Sequence, residues 1–73
     1  MNTGQERFFN FIMERVALEN QDKAKELLNE SFKKQDEGTF NKEYMMSFIP
    51  RMIALLKPEC IEEVNNIMNK YNA

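Results

Sequence analysis

The chain has 73 residues, 12 acids against 10 bases for a formal charge of −2, one cysteine and no histidine. So short a chain closes one hydrophobic core and buries only roughly 60% of the surface its unfolded form exposes, which places residues 1–73 in a single domain of modest stability. A lone Cys60 excludes an internal disulfide, and without histidine it also excludes the thiolate and imidazole sets that hold zinc. Acids and bases interleave, so no basic face is offered to nucleic acid and no charge block to anionic lipid.

Apolar residues recur at spacings of three and four, and no alternating run rich in Val, Ile or Thr points to a strand. The expected fold is all-α, a small bundle of four short helices. The first covers about 3–19, opening where Thr3 can cap and Glu6 can complete a capping box. Its Phe8, Phe9, Ile12, Met13, Val16 and Ala17 fill one half of the wheel. Phe11 and Leu18 stack on the opposite side, seven residues apart.

Asn20 is the expected cap of the second helix, about 21–36, whose Ala24, Leu27, Leu28 and Phe32 form one stripe. Gly38 stands where a left-handed closing residue is wanted. The link that follows does not fit a calcium-binding loop: aligned on Gly38, Lys33 and Tyr44 would occupy the first and last ligand positions, where acids are required.

Asn41 is the expected cap of the third helix, about 41–57, in which Pro50 falls on the polar side and predicts a kink rather than a break. Tyr44, Met45, Met46, Phe48, Ile49, Met52, Ile53, Leu55 and Leu56 would span roughly 200° of that helix, about twice the arc of a one-sided surface helix. Pro58 suits the first turn of a fourth helix, about 58–71, with Cys60, Ile61, Val64, Ile67, Met68 and Tyr71 on its apolar stripe. No internal repeat is visible.

The composition argues against catalysis. There is no histidine, the carboxylates fall on polar arcs, and the adjacent Glu62 and Glu63 diverge by about 100° on a helix. Cys60 lies among Glu59, Glu62 and Glu63 and is aligned with Val64 and Ile67, which reads as a small buried hydrophobe rather than a nucleophile. Phosphate-binding glycine loops are absent, and no cofactor or metal is expected.

No segment holds the ~18 apolar residues of a membrane span, and "MNTGQERFFNF" lacks a basic region followed by an apolar run, so the reading is of a cytoplasmic protein. Two functions follow from the apolar surplus. The first is a non-enzymatic protein-interaction or regulatory module that meets another protein or self-associates as a homodimer through Phe11, Leu18, Met46 and Ile53. The alternative is a carrier of a hydrophobic small molecule or amphipathic peptide, held in a Met/Phe-lined groove between the first and third helices.

Overall fold

The structure, a computed structural model, describes residues 1–71, with the side chain of Tyr71 outside the described set. The fold is all-α, as expected: α1 (Thr3–Met13), α2 (Gln21–Asp36), α3 (Lys42–Ile53) and α4 (Ile61–Tyr71). Short 3-10 turns, Leu18–Asn20 and Pro58–Cys60, lead into α2 and α4. α1 packs on α2, α2 on α3 and α3 on α4.

Two of the expected helices are too long. α1 ends at Met13 instead of about 19, and α3 at Ile53 instead of about 57. The physical reason lies outside either helix: Val16 and Leu56 leave the helical path and meet as an antiparallel bridge. The Ala17 amide donates to the Leu55 carbonyl at 3.1 Å, and the Lys57 amide donates to the Arg15 carbonyl at 2.9 Å. Carbonyls released at the end of α1 find donors nearby, Phe11 from the Arg15 guanidinium at 2.9 Å and Met13 from the Gln21 side chain at 3.1 Å. The fourth helix likewise starts as α-helix only at Ile61, three residues later than expected.

This bridge lies at the centre of a repeat that is not visible in the sequence. A shift of 40 positions carries Leu18–Asn20 onto Pro58–Cys60 and the start of α2 onto the start of α4. Eight of the buried core residues fall into equivalent pairs: Ile12 with Met52, Val16 with Leu56, Ala24 with Val64 and Leu28 with Met68. The molecule is thus two helix–turn–helix units facing each other across a pseudo-two-fold axis. Ala17 and Lys57, which enter the two 3-10 turns, share the same extended backbone (φ −58, ψ 143 and φ −60, ψ 138).

Caps decide the remaining ends. α1 is capped by Asn2, not Thr3: the Asn2 side chain accepts from the Gln5 amide at 2.8 Å, while Gln5 Oε1 accepts from the Asn2 amide at 3.1 Å. Asn20 does not cap α2; its side-chain amide donates to the Leu55 carbonyl at 3.3 Å, beside the bridge. Gly38 closes α2 with φ +75, a conformation that suits glycine, and Asn41 caps α3 by accepting from the Tyr44 amide at 2.9 Å. α3 runs unbroken through Pro50, which is exposed as its polar-side position implies.

Pro50 lacks the N–H that would bond the Met46 carbonyl, and its ring faces water, so nothing in the core depends on it. Pro50→Ala is therefore expected to raise stability, by up to about 3 kcal/mol, in urea denaturation. A loss of stability would show that the packing of α3 depends on the proline.

Candidate functional site

A cleft opens beside the amino-terminal halves of α1 and α3, at the opposite end of these helices from the Val16–Leu56 bridge. Its volume is about 420 Å³. Phe8 and Phe48, equivalent under the 40-position shift, both line it. Phe40 reaches it from the α2–α3 link, Phe32 from α2, and Met45 and Met68 from α3 and α4. All four helices thus contribute, which makes the cleft a recess in the end of the bundle rather than a trough along one helix pair.

The two walls differ. On the α3 and α4 side the lining is Met45, Phe48 and Met68. On the α1 and α2 side Asn2, Gln5, Ser31 and Gln35 add an amide and hydroxyl edge. Gln5, only 7% exposed, is held in place by the capping box and donates from Nε2 to Gln35 Oε1 at 2.8 Å, tying the first turn of α1 to the last turn of α2. The buried Ser31 hydroxyl donates to the Leu28 carbonyl at 2.7 Å. Among the described residues no buried side-chain polar atom lacks a partner.

An aromatic and ionic cluster braces the outer side of the cleft. The Tyr44 ring lies 5.2 Å from Phe40 and 6.0 Å from Phe48. Its hydroxyl donates to Glu30 Oε1 at 2.9 Å, and Arg51 reaches the same carboxylate oxygen at 3.3 Å. Burial and then the hydrogen bond to Glu30 push the Tyr44 phenol up to about 12. The same hydrogen bond, helped by Arg51, holds the Glu30 carboxyl below its ordinary value. A second depression, of about 390 Å³ between α2 and α3, is shallower and has Arg51 and Glu30, already paired, on its wall.

The four residues expected to form one apolar strip do not behave alike. Phe11 is half-buried, with the Arg15 guanidinium 3.8 Å over its ring and Arg15 in turn bonded to Glu63. Ile53 is half-buried against the core. Leu18 and Met46 are 84% and 70% exposed. Leu18 cannot stack over Phe11, because α1 ends before it and Leu18 belongs to the 3-10 turn. Met46 and Ile53 do share α3, two turns apart, about 10 Å along its axis. Cys60, expected to be buried, is half-buried in its 3-10 turn. Among the described residues no three potential metal ligands of the His, Cys, Asp or Glu type are grouped, and no helix is long and apolar enough to cross a membrane.

In the sequence Met45 and Met68 stand only among the apolar-face residues, and nothing there points to Gln5, Gln35 or the ring of Phe40 as cleft residues. What the sequence does show is the Asn2-to-Gln5 spacing, a capping box one residue ahead of the one read from Thr3 and Glu6.

Because the Tyr44 phenol is held above its ordinary value of 10.0, its contribution to stability is complete below pH 10 and is lost as pH rises through about 12. Ultraviolet titration of the Tyr71→Phe variant isolates Tyr44 and is expected to show ionisation near 12. A midpoint at the ordinary value would mean that the Tyr44–Glu30 brace is not formed.

No family model, no curated protein and no solved structure matches the chain.

Proposed function

We propose that the chain is a non-enzymatic binding module whose site is the Phe/Met cleft at the end of the bundle, and that it carries a small apolar guest there. The observation that carries this reading is the cleft itself. Its volume of about 420 Å³ falls in the range of small-molecule sites, roughly 300–1,000 Å³, which occur between the helices of bundles. Its lining is mostly aromatic and thioether, with a few placed amides, which is the usual composition of such sites. A domain this small has little stability to spare, and leaving large apolar side chains against water forgoes about 1.5–3 kcal/mol each. Phe32, Phe48 and Met68 are already buried, so a guest adds part of that burial only at the half-buried lining residues Phe8, Phe40 and Met45.

The lining drawn from all four helices favours a small molecule over a partner helix. A docked helix presents anchors at i, i+3 or i+4 and i+7, spread over about 10 Å in a line, and so needs a long trough. The cleft is instead bounded by all four helices and Phe40.

Self-association is a second reading, supported by a separate observation. The equivalents of Met46 and Leu18 in the other half of the repeat are Glu6 and Pro58, both exposed as well. The fold accepts a charge at one of these places and a proline at the other, so the apolar character of Met46 and Leu18 is not a structural requirement. Those two side chains are the part of the expected strip that remains open to a second copy or another protein.

One experiment separates the two readings. The uncharged dye Nile red is expected to brighten saturably on binding the protein. Met45→Glu, at the cleft wall, should weaken that binding at least about tenfold with helix content unchanged. Leu18→Glu combined with Met46→Glu should leave dye binding as it is, and under the second reading it should halve the mass seen in sedimentation. Absence of dye binding, or equal binding by Met45→Glu, overturns the cleft as the site.

A further inference from the structure

The lining of the cleft narrows what the guest can be. Resting on the reading of the cleft as the site, we infer that the guest is uncharged and two-ended: an apolar body against the methionine and phenylalanine wall, and a neutral hydrogen-bonding head at the Gln5–Gln35 amide pair.

The argument is one of charge complementarity. None of the residues lining the cleft is charged. An ionised head drawn into an apolar recess without a counter-charge loses its hydration and receives no Coulomb return, an effective penalty of several kcal/mol. Two cationic groups of the neighbouring elements are engaged: the Lys34 ammonium lies over the Tyr44 ring at 5.7 Å, and Arg51 is on Glu30. The amino terminus of α1, which would otherwise attract an anion, is partly satisfied internally. Its Gln5 and Glu6 amides bond to Asn2, and Glu6 supplies the negative charge its dipole favours. Gln35 lies in the last turn of α2, at the negative end of that dipole.

A neutral head, by contrast, meets groups suited to it. Gln5 Oε1 is bonded to the Asn2 amide and one Nε2 hydrogen to Gln35 Oε1, which fixes the plane of the Gln5 amide. A primary amide has two N–H donors, so a second Gln5 hydrogen remains, and the Gln35 amide nitrogen adds its own. Both can donate to a hydroxyl or carbonyl oxygen. The opposite wall offers no polar group, because the position equivalent to Gln5 in the other half is Met45. The cleft is therefore polar on one side only, and its guest must be so too.

Displacement of Nile red by three surfactant-like probes with the same chain tests this: dodecanol, dodecanoate and dodecylammonium, each below its aggregation threshold at neutral pH. Dodecanol is expected to displace the dye at a concentration at least about tenfold below either ion. Gln35→Lys should make dodecanoate a better competitor than dodecanol when each is measured against that variant's own dye affinity, since it places a cation at the head position. Equal displacement by dodecanoate and dodecanol in the unaltered protein overturns the inference. If that displacement then fails in Lys34→Gln, the site is one for anions. Failure of Nile red to bind at all overturns instead the reading of the cleft as the site, and this inference with it.

Discussion

Two backbone hydrogen bonds, Ala17 to Leu55 and Lys57 to Arg15, hold this molecule in its arrangement. They join segments 40 positions apart, and each half supplies one donor and one acceptor. Forming them requires α1 and α3 to stop early, so that Val16 and Leu56 can enter the core from extended backbone with almost no exposure. They also fix where the two halves face each other. The equivalent side chains Ile12 and Met52, and Leu28 and Met68, belong to the one core that closes the interior.

The cleft follows from the same constraint. α1 and α3 are joined by the bridge beyond their carboxyl ends, and their amino-terminal turns lie at the far end of the bundle, where Phe8 and Phe48 stand on either side of the recess. The symmetry is imperfect there. Gln5 and Met45 are equivalent positions with opposite chemistry, one fastened into a cap and an amide pair, the other an unbranched thioether able to adapt to a guest. The link after Gly38 adds Phe40 to one side only, braced by Tyr44 and through it by Glu30 and Arg51. Departures from the two-fold therefore give the cleft its polar and apolar walls.

Local signals in the sequence were sufficient for much of this. Four helices, the limits of α2, the closing role of Gly38 and the cap at Asn41 each depend on neighbours within a turn. The ends of α1 and α3 were not legible, because Glu14 to Leu18 continues a helical pattern and only a distant partner, Leu56, takes Val16 out of it. Counting Leu55 and Leu56 as helical also widened the apolar arc of α3 and so exaggerated its surplus. The repeat was hidden because its pairs share burial rather than identity; among the core pairs Val16 matches Leu56 and Ala24 matches Val64. Of the cleft, the methionines showed through as apolar-face residues. Gln5 and Gln35 did not, because no local pattern brings the first turn of one helix to the last turn of the next.

The central claim is that the end cleft, and not the exposed Leu18 and Met46, is the functional surface. Methionine-methyl NMR tests it most directly, because the side chains of Met45 and Met68 line the cleft while Met13 and Met46 do not. Titration with dodecanol is expected to shift the Met45 and Met68 methyl signals saturably and together, leaving those of Met13 and Met46 in place. A shift of Met46 with Met45 and Met68 unmoved would contradict the account.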